Sequence, residues 1–461
     1  MLFNSFEFLL FFPIVCIIYY LIPSKRWRNL FLLAASYYFY MCWKPVYALL
    51  LLSSTVITFV ASILMDRYRG RAKLFLVLSL VINLAILFFF KYYNFAAENV
   101  RTLMNIAGIA INIPEFNVLL PVGISFYIFQ ALGYSIDVYR KDVQTEKNFF
   151  TYALFVSFFP QLVAGPIERS TNLLQQFHEK KIFDSRRAIE GTTLMLWGYF
   201  LKLVIADRCA ISVDYVYNNM DGQTALPCLI ASCLFCFQLY GDFAGYSFIA
   251  TGCAKIMGFS LMENFRRPYF FSVSVQDFWR RNHISLTTWF MDYIYYPMVG
   301  TSSNIYWWCF CMFFTFFVSG FWHGAAWTYV LSFTIFGIYL VVCVLKDKRQ
   351  RQFEKRHNLK KKEWWLWLNR AVTFFLVMIA LIFFRANSLH DGLACLSSIC
   401  STGYSFAFHG KRNILESIGV VGVLFVIEYL IEYRKFKIDE RNYFRLYTTA
   451  SALLFLFILI F

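Results

Sequence analysis

Two histidines stand where an acid–base group has the least polar company. His323 lies in FFVSGFWHGAAWTYVLSF (316–333), between two strongly apolar runs, and His283 follows Arg280, Arg281 and Asn282 in DFWRRNHISLTTWF (277–290). His178, His357, His390 and His409 fall in polar stretches, which leaves His323 as the one plainly at membrane depth. An imidazole gains and loses a proton near neutral pH, as a general base must, and burying one in hydrocarbon is costly. Position 323 therefore admits a catalytic base or a histidine held by structural hydrogen bonds. Gly320, Gly324, Ala325 and Ala326 leave room for another helix or a thin substrate beside it.

Other polar groups interrupt apolar surroundings in four places. Gln130, Tyr134 and Asp137 in 121–140 share one helical face that must look into protein or water, and interhelical hydrogen bonding explains such a face. Pro160, Gly165 and Pro166 predict a broken or re-entrant helix over 158–170, to which Gln161 and Glu168 add polarity. Lys202, Asp207 and Arg208 end a hydrophobic helix as an interfacial ion pair, and Asp242 and Tyr246 sit inside the next apolar stretch. Beyond Asn264 and a turn at Pro268–Tyr269, aromatics Trp279, Trp289, Tyr293, Tyr295 and Tyr296 mix with Arg280 and Arg281. That mixture predicts a helix at the membrane–water boundary, whose arginines anchor to phosphates or hold an anionic donor or acceptor.

The elements that position these groups follow from composition. Of 461 residues, 59% are hydrophobic and only 15% charged, and the mean hydropathy is +0.55. The apolar residues come in blocks near the length of a bilayer span, which excludes a soluble fold. The chain reads as an all-α, polytopic helical membrane protein, one integral domain over 1–461 with its chemistry within 117–335. The ruler of about 20 residues per span gives roughly eleven transmembrane helices, with re-entrant or interfacial helices around a central tunnel. Segments 225–240 and 244–258 count separately, and the last lies at 446–461.

Charge sets the orientation. Forty-three Lys and Arg against 27 Asp and Glu give +16, which in a membrane protein suits a phospholipid surface or an anionic substrate and not nucleic acid. Basic clusters at 25–28 and 67–73 bracket a hairpin over 29–65, and the run 346–362 forms a basic cytoplasmic loop, so Met1 faces outward. Residues 2–22 lack a basic leader and cleavage site and form a retained helix. Most of the 12 cysteines lie in apolar segments; the Cys233–Cys236 pair is packing, only Cys395 and Cys400 in a polar loop are candidates to pair, and no metal site is expected.

DFWRRNHISLTTWFMDYIYYPMVG followed by SGFWHGAAWTYV, with FPQLVAGPIERS, KLVIADR and the 121–140 stretch upstream, resembles the membrane-bound O-acyltransferase family. The branch most similar acetylates alginate, peptidoglycan and other polysaccharides, and the likeness runs from about 1 to 340. It departs at Asn282, where tryptophan is more usual. The resemblance implies that His323 is the catalytic histidine and His283 the second one, with Asn282, Arg280, Arg281, Asp242, Gln161 and Gln130 supporting substrate. It also implies acetyl transfer from acetyl-CoA, a thioester donor and not a bound cofactor, to a hydroxyl acceptor. An extracytoplasmic acetyltransferase partner and a multi-pass place in the cell's inner membrane complete the expectation. D-alanyl transfer to teichoic acid on the same fold is the alternative; a transporter or channel needs more charge along its spans than this chain has.

Overall fold

The computed structural model describes residues 1–116, 119–163, 165–266, 269–359, 362–401, 411–433, 451–455 and 458. Every element among them is helical, and seven helices are long and apolar enough to cross a membrane. The remaining apolar segments are shorter or broken. The expected span at 446–461 falls mostly outside the described residues, as do His409 and Pro268. Two compact units emerge from chain proximity: Met1–Met195 with Ser247–Met262, and Leu196–Tyr246 with Glu263–Phe461.

The first unit contains α1 (Phe6–Leu21), α2 (Lys25–Met41), α3 (Tyr47–Arg67), α4 (Ala72–Lys91), α5 (Tyr93–Ile106), α6 (Ile124–Arg140), α7 (Phe149–Ser157) and α8 (Phe159–Leu162). The predicted hairpin is α2 and α3. Helix α3 packs on both α4 and α6, because its buried face carries small hydroxyl residues: Ser54, Thr55, Thr58 and Ser62 are fully enclosed. Such residues let backbones approach and bond across helices. Ser54 donates to Asn83 Oδ1 at 2.5 Å, and Tyr152 to Thr58 Oγ1 at 2.7 Å. The break expected around Pro160 is present, since α7 stops at Phe158 and a single turn, α8, follows.

The second unit starts in the last turn of α9 (Ser185–Tyr199), continues through a π-helical stretch, Phe200–Ala206, into α10 (Asp207–Tyr217), and takes most of α11 (Ala225–Ile256). Helix α11 is continuous for 32 residues, where the sequence suggested two segments. Gly241 and Gly245 are a contact and not an interruption: a Cβ on Gly241 would stand 2.7 Å from Leu201 O, and one on Gly245 2.8 Å from Gly198 O. Tight packing against a neighbouring backbone offsets the helix penalty of glycine.

After α11 come α12 (Val275–Trp279), α13 (Ile284–Phe290), a π turn at Met291–Tyr295, α14 (Tyr296–Val299), α15 (Ile305–His323), α16 (Trp327–Arg356), α17 (Glu363–Arg385), α18 (Leu389–Cys400) and α19 (Lys411–Tyr433). Asn304 caps α15 by accepting the Tyr306 N–H at 2.9 Å. Most of the basic run expected as a loop is instead helical, the end of α16, held by i,i+4 pairs such as Arg351 with Asp347 at 2.7 Å. Cys395 and Cys400 do not pair. Both lie on α18 as free thiols, five residues and so about 140° apart, with Cys395 buried and Cys400 exposed.

Candidate active site

The helix expected over the 279–296 aromatics is interrupted near its start, and helical backbone runs on from Ile284 through a π turn to Val299. The chain turns at 280–283 between α12 and α13, and Trp279 and Trp289 are buried at 7% and 5% exposure. One local ion pair and one left-handed residue mark the turn. Arg281 forks onto Asp277, Nε to Oδ1 at 3.0 Å and Nη2 to Oδ2 at 2.9 Å, which closes α12 on itself. His283 then takes a left-handed backbone, φ 47°, as the N-cap of α13, a conformation uncommon for any residue but glycine, asparagine or aspartate.

That turn carries the His283 ring into the interior, 3% exposed. Phe243 of α11 meets it edge-on at 4.4 Å between ring centres, and Trp322 of α15 lies at 5.8 Å. His283 itself lies outside the spanning helices, and burial pushes its imidazole pKa from 6.5 down to about 3, so this ring is neutral across the physiological range. Its Nδ1 is 3.2 Å from Asn264 Oδ1.

His323 is the last residue of α15, half-buried, where the helix gives way to the extended Gly324. The ring stacks on Phe333 of α16 at 4.2 Å, with Phe384 of α17 edge-on at 5.6 Å. Gly320 and Gly324 bring α16 this close: a Cβ on Gly320 would lie 2.8 Å from Val330 Cα, and one on Gly324 2.3 Å from the Tyr329 ring. The room left by these glycines is thus filled by α16. The centres of the His283 and His323 rings stand 6.4 Å apart.

The other candidates divide. Asn282 is half-buried in the same turn, Arg280 is exposed, and the charge of Arg281 is met by Asp277. Asp242 is engaged by Lys202 Nζ at 2.5 Å, the same ammonium that meets Asp207 at 2.9 Å, so the predicted interfacial ion pair takes in Asp242 as well. Asp242 also lines a cavity of about 410 Å³ with Gln238, Thr328, Tyr329, Phe384 and Arg385. Gln130 and Gln161 belong to the first unit, 5% and 2% exposed. Each donates its amide to one carbonyl, Phe155 O, at 2.7 Å. Asp137 accepts from Ser170 at 3.1 Å. These are helix-to-helix bonds, the bland reading of that polar face.

Sequence inspection missed three polar residues. Asn264, 3% exposed, was read only as part of a turn, 19 residues before His283. Arg370 and Glu428 are single charges inside apolar helices, 9% and 6% exposed. Arg370 lies over Trp367 at 4.6 Å and Phe271 at 5.4 Å, and Glu428 accepts from Tyr240 at 3.1 Å. A lone charge within an apolar run was the available signal.

The family model of the membrane-bound O-acyltransferases matches residues 36–390. The chain belongs to that family. The probable alginate O-acetylase of Pseudomonas putida is 36% identical over 87% of this chain and 81% of its own length. The peptidoglycan O-acetyltransferase of Helicobacter pylori is 30% identical over 91% of this chain and 84% of its own. A teichoic acid D-alanyltransferase of Streptococcus thermophilus is more distant, 28% identical over 57% of this chain and 68% of its own. This member of the membrane-bound O-acyltransferase family is therefore a multi-pass membrane enzyme of acyl transfer to oxygen, and its paired histidines lie in or beside the matched helices.

Proposed function

We propose that this O-acyltransferase moves acetyl from a cytoplasmic thioester, acetyl-CoA, to a hydroxyl acceptor for O-acetylation of a secreted polysaccharide or peptidoglycan at the inner membrane. The observation that carries the reading is the closeness of two imidazoles, edge to face with ring centres 6.4 Å apart, inside an aromatic wall. Acyl transfer needs a base for the hydroxyl proton and an acid for the departing thiolate. In the proposed step His323 takes the hydroxyl proton as that oxygen bonds to the thioester carbonyl carbon. The C–S bond breaks, and the same proton passes to the thiolate sulfur. His283, neutral at the working pH, holds the other side of the reacting group, and the rings around both exclude water that would hydrolyse the thioester.

The cavity at Asp242 and Arg385 supports an approach for the acceptor. Its wall includes Phe384, which also touches His323, and it opens where α16 begins and α17 ends. The basic run 346–356 marks the opposite end of α16 as cytoplasmic. The acceptor side thus faces outward, where an extracytoplasmic acetyltransferase partner receives the group. D-alanyl transfer is the second reading, carried by the match to the teichoic acid enzymes; the nearer acetylating relatives favour acetyl.

The test is His323→Ala in a host dependent on this gene, with ester-linked acetyl and ester-linked D-alanine measured on envelope polymers and protein abundance checked in the membrane. Loss of acetyl at normal abundance supports the proposal. Unchanged acetyl contradicts the role of His323, and loss of D-alanine instead moves the assignment to the second reading.

A further inference from the structure

Four donors converge on Asn264. Its backbone carbonyl accepts the Ile284 N–H at 2.9 Å. Its Oδ1 faces the Ser285 N–H at 3.2 Å, the Ser285 hydroxyl at 2.8 Å and His283 Nδ1 at 3.2 Å. A backbone N–H only donates, so the side-chain atom it meets must be the amide oxygen. An oxygen accepts, and the imidazole nitrogen opposite must therefore carry the proton. The tautomer of His283 is settled by its neighbour: Nδ1–H donates to Asn264, and Nε2 keeps the lone pair.

We propose that Asn264 is the positioning residue that holds His283 in the Nδ1–H tautomer, so that Nε2 accepts a hydrogen bond from a second hydroxyl of the acceptor, beside the one whose single proton passes to His323. This rests on the acyl-transfer reading above and sharpens it. An Nε2 lone pair accepts a proton or a hydroxyl hydrogen but stabilises no oxyanion, so His283 serves the acceptor and not the thioester carbonyl. Asn264 also explains why the left-handed turn at His283 persists, because its backbone and side chain grip residues on both sides of that imidazole.

The amide nitrogen makes a clean test available. Asn264 Nδ2 is buried and meets no acceptor among the described residues, so Asn264→Asp keeps the oxygen and sacrifices no hydrogen bond. A carboxylate against Nδ1 stabilises the imidazolium and raises the pKa of His283 by about one to three units. Among the described rings that flank His283 are Phe243, Trp322 and His323, of which His323 is ionisable; nearby Arg281 is paired with Asp277.

The enzyme in proteoliposomes, given acetyl-CoA and a soluble polyhydroxyl acceptor, is assayed from pH 4 to 9. Asn264→Asp should transfer within about threefold of wild type at the alkaline end, with its acid limb moved up by about one unit or more. Asn264→Ala should lose about 10- to 100-fold per folded molecule at every pH, and its melting temperature should fall as the buried donors lose their acceptor. An Asn264→Asp profile that superimposes on wild type after scaling, or an Asn264→Ala rate equal to wild type, overturns the proposal. Nitrogen NMR on histidine-labelled protein, assigned with His283→Gln, reads the tautomer without catalysis: an Nε2–H signal for His283 overturns the positioning claim. If wild type transfers no acetyl while the Nδ1–H tautomer is present, the functional reading fails and the positioning of His283 stands.

Discussion

The two units bury polar groups for opposite ends. In the first, Gln130 and Gln161 spend their amides on one carbonyl, Phe155 O, and the carboxyl of Glu168, 1% exposed, accepts from Asn172 at 2.8 Å and from the Met262 N–H. In the second, two imidazoles are walled by the rings of Phe243, Trp322, Phe333 and Phe384. Aromatic walls remove water without tying up the reacting nitrogens, whereas amide-to-carbonyl bonds leave nothing to react. Burial alone therefore does not mark chemistry; the partner does.

Breaking this contrast begins with His323→Ala. Removing a general base costs about 10²- to 10⁴-fold in rate, and the account expects that loss in transfer per folded molecule, measured in proteoliposomes. Next is Gly320→Leu. With Val330 Cα only 2.8 Å from the new Cβ, α15 and α16 must separate, so the melting temperature should fall, with a destabilisation of about 2 kcal/mol. Gln161→Leu removes one interhelical bond worth about 1 kcal/mol, and the account expects a small drop in melting temperature at an unchanged turnover.

The contrast extends to a pH dependence of stability whose sign differs between the units. Glu168 lies outside the spanning helices, and burial pushes its pKa from 4.5 up to about 7. The folded state then holds a proton that the unfolded chain releases, so this group's stabilisation is complete below pH 4.5 and is lost as pH rises through 7. His283, lowered from 6.5 to about 3, behaves in reverse: its contribution is complete above 6.5 and is lost as pH falls toward 3. In melting curves from pH 4 to 8, Glu168→Gln should flatten the alkaline decline and His283→Gln the acid one. A Glu168→Gln curve parallel to wild type would refute the first.

Much of this was legible in sequence because the bilayer imposes local rules. Apolar block length located most helices, Pro160 and Pro166 marked the break after α7, and His323 stood out against an apolar background. What stayed hidden depends on contacts between distant segments. The segments 225–240 and 244–258 count apart in sequence, yet they are one helix in which Gly241 packs against a neighbouring backbone. The aromatic–arginine stretch looked like one interfacial helix because nothing local reveals that Asn264, 19 residues earlier, grips the turn at His283. Arg281 looked like an anion site, yet its nearest anion is Asp277 one helical turn away. Arg370 and Glu428 were readable as lone charges but were overlooked within long apolar runs.

The central claim is that acyl transfer belongs to the imidazole pair and not to the buried amides. Its most direct measurement is the single-turnover rate of acetyl transfer, per folded molecule, for His323→Ala and Gln161→Leu side by side with wild type. The account predicts a loss of about 100-fold or more for the first and a wild-type rate for the second. Equal losses in both, or a wild-type rate for His323→Ala, would contradict it.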